Sequence, residues 1–329
     1  MTPRHSAREA FSQAAAALVA EMPPAFRDRE NFAQRLTQLY GDSALEVVRS
    51  LQADDWQSYW INPLQTLPDD FARVGEPVPG LALGGEPVRQ LLQSGELSRT
   101  TAAEEGAIYI QNLSSFYAVL LLDPRPGEEI LDLAAAPGGK SLAIAAAMGN
   151  EGRLAAVEAV KGRFHRLKAN MERCGVTCAE YYLRDGRGVG RAVGERFDRV
   201  LLDAPCSSES HMRWEQPQTW QHWSLRKVKE CQRKQKGLIR SAYASLKPGG
   251  RLIYCTCSFS PEENEMVVAH LLEKSDAELE ALERVYAHHH PGRVQWGKRN
   301  FPAALSGTLR VLPFEGWDGF YIASLRKPG

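Results

Sequence analysis

Residues 129–141 read EILDLAAAPGGKS. The apolar run ILDL passes directly into a Pro/Gly turn, and the turn passes into SLAIAAAMG, a helix-forming stretch. A short apolar run ended this way predicts a buried strand that feeds a helix. Glycines in the turn let the backbone approach a ligand closely, and the first N–H groups of the helix are free to bind it. The turn is neither GxGxxG nor GxxxxGK[ST], which argues against a dinucleotide site and against a P-loop.

The same rhythm continues downstream. RLAAVE (153–158), EYYLRDG (180–186), FDRVLLDAP (197–205) and RLIYCTCS (251–258) are four more strand candidates, and RVYAH and DGFYIASL are expected to be the last two. Between them lie the charged amphipathic segment KGRFHRLKANMERCG, a long helix over residues 224–247 stopped by LKPGG, and PEENEMVVAHLLEK, with Pro261 at its expected start. Strands alternating with helices predict an α/β fold, a doubly wound and mostly parallel seven-stranded sheet. Upstream, residues 1–50 read as helical and residues 51–105 as short strands and turns, with SGELSRTTAAEEG as an exposed connector. We therefore expect a smaller α+β N-terminal domain over residues 1–104 and a catalytic domain over residues 105–329.

The chain has 329 residues, 40 Lys+Arg and 40 Asp+Glu, so bulk charge gives no argument for a polyanion partner. No apolar run approaches the length of a membrane span, and no stretch reads as an export signal. Six cysteines without an export signal read as free thiols in a reducing compartment, so a cytoplasmic location is expected. The run His288, His289, His290 lacks a second ligand cluster and reads as a polar loop, so no metal is expected.

Ligands of doubly wound sheets bind beyond the carboxyl ends of the strands. Glu158 ends the second strand, where an acid can accept from ribose hydroxyls. Asp185 ends the third and can accept from an adenine amino group. With the glycine turn they fit an adenosine-containing ligand. Asp203 and Cys206 follow the fourth strand, and Cys255 and Cys257 end the fifth. One cysteine at a strand end is ordinarily a small buried hydrophobe. Two, on neighbouring strands beside an aspartate, suggest a nucleophile facing a pocket.

These peptides resemble the Nol1/Nop2/Sun family of RNA 5-cytosine methyltransferases. The family patterns appear here as GAIYIQNLSS (106–115), LDLAAAPGGKS (131–141), DAPCSS (203–208), LKPGGRLIYCTCSFSPEENE (246–265) and the RVLP…DGFYIASLRK segment (310–327). The resemblance implies a Rossmann-like methyltransferase domain that uses S-adenosylmethionine, bound by Ala134, Ala135, Ala136, Pro137, Gly138, Gly139, Lys140, Glu158, Arg163, Asp185 and Asp203. It implies that Cys257 is the nucleophile, that Cys206 assists proton removal and product release, and that Asp203 contacts the cytosine. Carbon 5 of cytosine is a poor nucleophile, and thiolate addition at carbon 6 activates it. Three departures stand out. Ala134 replaces a common Cys, Cys255 a usual Ser, and Ser208 a usual Gly.

Residues 224–240 carry Arg226, Lys227, Lys229, Arg233, Lys234, Lys236 and Arg240 against one Glu, and are expected to meet RNA phosphates. Trp214, Trp220 and Trp223 lie just before them; some are expected to belong to the core and one to stack on a displaced base. On family grounds ribosomal RNA is favoured over transfer RNA. The chain is expected to act as a monomer, without an added C-terminal RNA-binding domain. The alternatives are a DNA cytosine methyltransferase, which would use the Pro–Cys cysteine as its nucleophile, a small-molecule methyltransferase on the same fold, and a non-catalytic RNA-binding ribosome-assembly factor.

Overall fold

The computed structural model describes residues 3–52 (side chains from Phe11 onward), 56–92 and 96–329. Five strands run parallel: β1 (Glu129–Asp132), β2 (Arg153–Glu158), β3 (Ala179–Leu183), β4 (Phe197–Asp203) and β5 (Leu246–Thr256). They lie in the order β3-β2-β1-β4-β5, and the order reverses between β1 and β4. Two further strands, β6 (Leu309–Val311) and β7 (Phe320–Arg326), are antiparallel, with β7 next to β5. The short strands Glu278–Glu280 and His289–Pro291 pair with β7 and β6 and bring the sheet to nine strands, six of them expected; Leu309–Val311 and these two short strands were not.

Alternation along β1 divides the core. Ile130 faces a cluster with Leu142 and Ile144 of helix α1 (Gly139–Ala147). Leu131 faces the opposite cluster, with Leu238 and Ile239 of helix α3 (Leu225–Ala244). Helix α2 (Lys161–Arg173) connects β2 to β3, and α4 (Glu265–Leu272) follows β5. Ligand crevices form at the carboxyl ends of such a sheet, where the strand order reverses.

The chain begins with helices Pro3–Ala20, Arg29–Tyr40 and Ala44–Ser50. A four-stranded antiparallel sheet follows, made of Trp56–Ile61, Glu76–Leu83, Glu86–Leu92 and Ile108–Ile110. Its fourth strand comes from beyond residue 104, so the small sheet draws on both sides of the expected boundary. Leu97 and Ala102 of the expected connector are buried, and Thr100 caps a short helix at Thr101–Glu104. Residues 94 and 95 of that segment lie outside the described residues.

Two expected elements form differently. RVYAH is not a strand; the ladder starts only at His289, which pairs with Val311. Pro261 does not start the helix either. It sits in a turn, and α4 begins at Glu265. Inward bonds hold the intervening residues. Asn264 Nδ2 donates to the Ser258 carbonyl (2.7 Å), and the Asn264 Oδ1 atom accepts from Thr256 Oγ (2.5 Å). Among the described residues, no helix is long and apolar enough to cross a membrane.

Candidate active site

A cavity of about 740 Å³ opens at the carboxyl ends of the parallel strands. Its floor is the loop that follows β1. The loop threads between neighbouring strands: Leu133 N–H donates to the Leu201 carbonyl (3.0 Å) and Ala135 N–H to the Val157 carbonyl (2.9 Å). From α2, Arg163 donates to the Ala136 carbonyl (2.5 Å) and Asn170 to the Pro137 carbonyl (2.9 Å). Gly138 caps α1 at φ +114°, a conformation that side-chain-bearing residues rarely adopt. A Cβ on Gly139 would lie 3.0 Å from the Tyr109 ring. The bare loop therefore lets the small sheet press onto the cavity from above.

The acids stand around this loop. Glu158 is buried at the end of β2; its Oε1 accepts from Val160 N–H (2.8 Å), and Arg163 lies 3.7 Å from its Oε2. Asp185, beyond β3, accepts from Arg187 through backbone (2.9 Å) and guanidinium (2.6 Å), and that bond holds its carboxyl below the usual range. Both line the cavity with Ala134, Ala135, Ala136, Pro137, Gly139, Lys140, Arg163 and Asp203, whereas Gly138 shapes the loop without lining it. Asp132 also reaches the cavity. Burial pushes its carboxyl up to about 6, and one oxygen accepts from Ser141 Oγ (2.6 Å). Acids at the ends of β2 and β3, an open loop and a free helix N-terminus suit a ribose diol and an adenine amine.

Lys140 faces the opposite end of the site. Its ammonium lies 2.6 Å from Asp203 Oδ2 and 3.0 Å from Ser115 Oγ. Burial opposes this charge, but Asp203 together with the neighbouring Cys255 and Cys257 holds the ammonium above its ordinary pKa.

In the β4–β5 register Asp203 stands opposite Cys255. Cys206 and Cys257 lie just beyond, and their sulfurs approach to 3.0 Å at the cavity wall. The Cys206 thiol is pushed well above its usual range by its hydrogen bond to Cys257 and by burial. Either sulfur of the pair can be the donor in this contact. Cys255 is fully buried, 3.7 Å from Asp203 Oδ1, and burial raises its thiol too. Cys255 does not line the cavity, and Cys257 does.

The tryptophans are not available for stacking. Trp214, Trp220 and Trp223 are buried against Phe26 at ring separations of 5.9, 5.7 and 5.8 Å. Trp214 Nε1 donates to the Val48 carbonyl (3.0 Å) and Trp223 Nε1 to Glu209 (2.7 Å). The segment docks the N-terminal helices, because an apolar ring with a satisfied N–H gains most from burial. Of the seven basic residues only Lys234 lines the cavity. Arg226, Lys229, Arg233, Lys236 and Arg240 recur at three- and four-residue steps along one outer stripe of α3, and Lys227 lies a helical repeat before Lys234.

Several cavity residues escaped the reading by residue type. Tyr109, Gln111 and Ser115 belong to the GAIYIQNLSS element, and Asp318 opens the DGFYIASL strand. Gln111 is held by Trp60 Nε1 (2.9 Å), so the small sheet builds part of the wall. His211 pairs with Asp318 (3.2 Å), and that partner holds it above the ordinary histidine value against burial. The quoted elements carried the first four residues; nothing in the sequence pointed to His211. Among the described residues no cluster suits a metal ion.

Comparison with known proteins bears on the family and the fold. The chain is 43% identical over 224 residues to the tRNA (cytosine(49)-C(5))-methyltransferase of Pyrococcus abyssi, covering 68% of this chain and 71% of that one. It is 41% identical over 238 residues to ribosomal RNA small subunit methyltransferase F of Vibrio campbellii, covering 70% of this chain but 47% of the relative, so it spans about half that protein's length. A solved methyltransferase homolog from Pyrococcus horikoshii superposes with a TM-score of 0.77 at 31% identity, covering 91% of this chain and 95% of that one. Residues 119–326 match the family model described as 16S rRNA methyltransferase RsmB/F. With a doubly wound sheet, an open glycine loop and paired thiols at the ends of β4 and β5, the chain belongs to the RsmB/F methyltransferase family.

Proposed function

We propose that this protein methylates carbon 5 of a cytosine in RNA through a covalent Cys257 adduct. The observation that carries the reading is the Cys206–Cys257 contact of 3.0 Å at the wall of a cavity that Asp203 also lines. S-adenosylmethionine, when bound, supplies an electrophilic methyl group. Ala134, Ala135, Ala136, Pro137, Gly138, Gly139, Glu158, Arg163 and Asp185 would hold it, with Lys140 and Asp203 between it and the base.

Cys257, as the thiolate, adds through its sulfur to carbon 6 of the cytosine; the carbon 5–carbon 6 π bond breaks and its electron pair becomes available at carbon 5 to take the methyl group. Asp203, held by Lys140, meets ring nitrogen 3 and the exocyclic amine and stabilises the adduct. Cys206 stays protonated while it donates to Cys257. Once the Cys257 sulfur is bonded to carbon, that hydrogen bond is gone and Cys206 loses its proton more readily. It becomes a usable base at the stage when the carbon 5 proton must leave and the Cys257–carbon bond must break.

We further propose that residues 1–104 and the basic face of α3 contact RNA, that the enzyme acts as a monomer in the cytoplasm, and that ribosomal RNA is the substrate. The family model supports ribosomal RNA. The second reading is transfer RNA, favoured by the 43% identity to the Pyrococcus abyssi enzyme. Bisulfite mapping of total RNA from cells with and without the gene decides between them. A protected cytosine that disappears with the gene identifies the substrate. An unchanged map of both RNA classes would overturn the proposal.

A further inference from the structure

Beyond Asp203 and Cys255 the β4–β5 ladder stops. Of the backbone–backbone hydrogen bonds among the described residues, only Ala204 N–H to the Cys255 carbonyl (2.9 Å) and Ser210 N–H to the Cys257 carbonyl (3.1 Å) still join the two segments, and farther out the Glu209 carboxylate accepts from Phe259 N–H (2.6 Å) and Ser260 N–H (2.9 Å). The cysteines nevertheless meet at 3.0 Å, so something else holds them together.

Each cysteine is followed by a buried serine, Ser207 after Cys206 and Ser258 after Cys257. Their hydroxyls lie 3.3 Å apart and converge on one atom, Oε1 of Glu263. The Ser258 hydroxyl is 2.9 Å from it and also 3.0 Å from Oε2 of Glu209. The other Glu263 oxygen accepts from Ser207 backbone N–H (2.9 Å) and from Gln235 Nε2 (3.0 Å), which also donates to the Pro205 carbonyl. Glu263 is fully buried and does not line the cavity. Burial and the neighbouring Glu209 charge push its carboxyl up to about 7. A carboxyl is costly to bury, and it is tolerated here because every side of it is hydrogen-bonded.

We infer that Glu263 is a positioning residue that sets the separation of Cys206 and Cys257 by clamping the serine that follows each of them. This inference rests on the proposed reaction for its catalytic meaning, but its geometric content does not depend on it.

The test uses the full chain without RNA. Diamide oxidises two adjacent thiols to a disulfide, and mass spectrometry of the linked peptides reads the rate for the Cys206–Cys257 pair. In Glu263→Gln this rate falls at least tenfold. Ser207→Ala and Ser258→Ala, which remove one clamp each, slow it less. The serine variants decide the matter if Glu263→Gln does not fold. Rates within twofold of wild type in a folded Glu263→Gln, or in both serine variants, would overturn the inference. With RNA present, Glu263→Gln lowers kcat and leaves KM for S-adenosylmethionine unchanged. If the wild-type enzyme transfers no methyl group to any RNA, the proposed reaction fails, and the oxidation rates still judge the clamp.

Discussion

At residue 208 the backbone enters the left-handed region, with φ +58°. The family pattern has glycine at this place, and here the chain carries serine. A side chain in this conformation costs roughly 1 kcal/mol, and glycine relieves it. Ser208→Gly is therefore expected to raise unfolding stability by about 1 kcal/mol, read from a urea midpoint at unchanged slope. His289 is a second strained site of a different kind. Among the described residues both its ring nitrogens are buried without a hydrogen-bond partner, and burial with the neighbouring His288 and His290 pushes its pKa down to about 4. The unfolded chain binds a proton there below about pH 6.5, and the folded chain does not. Its contribution to stability is present above pH 6.5 and is lost as the pH falls through 4. His289→Phe keeps the ring contacts with Tyr117 and Trp317 and removes the orphaned nitrogens. It is expected to be more stable than wild type at pH 7, and by a wider margin in thermal melts at pH 5.

Among the elements, the segment over residues 209–223 has a role that its sequence concealed. Three tryptophans in an otherwise polar stretch look like a base-stacking surface. Their partners, Phe26 and Phe32, lie nearly 200 residues away, and residue type alone cannot reveal a pairing at that distance. Trp223→Ala removes a ring packed 5.0 Å from Phe32 and is expected to cost 3 to 5 kcal/mol, roughly. Limited proteolysis should then cut near residues 21–28 faster than in wild type. Helix α3 was legible as a helix, because its basic and apolar positions separate at a period near 3.6. Which basic residues face the site was not legible, since that depends on how the helix rolls against the sheet. Lys234 faces the cavity, while Arg226 is exposed and paired with Glu230 at 3.1 Å. Lys234→Ala is expected to lower the slope of log K for RNA against log salt by about one. Arg226→Ala should change it less.

The whole molecule places two differently legible halves together. From residue 129 to residue 258 the five parallel strands, the glycine loop and the cysteine peptides could be read directly, whereas beyond them RVYAH fails as a strand and Leu309–Val311 forms where none was expected. Each legible feature is a local pattern: a short apolar run, a turn and a charged end. The lower-period N-terminal half gave helices and small strands but not their arrangement. The contribution of the small sheet to the cavity through Tyr109 and Gln111 follows from tertiary packing alone. The buried pair Arg310–Glu265 (2.6 Å), reached by Tyr40 from the N-terminal helices (3.0 Å), likewise joins three regions that no local pattern connects. What these regions jointly build is one cavity with adenosine-suited acids on one side and two thiols on the other. The central claim is that the two thiols have different duties. The most direct measurement incubates wild type, Cys257→Ala and Cys206→Ala with S-adenosylmethionine and an RNA substrate carrying 5-fluorocytosine, and reads the covalent protein–RNA complex on a denaturing gel. Fluorine at carbon 5 blocks the final proton removal, so a trapped complex is expected with wild type and with Cys206→Ala and none with Cys257→Ala. A complex that survives Cys257→Ala and disappears in Cys206→Ala would contradict the account.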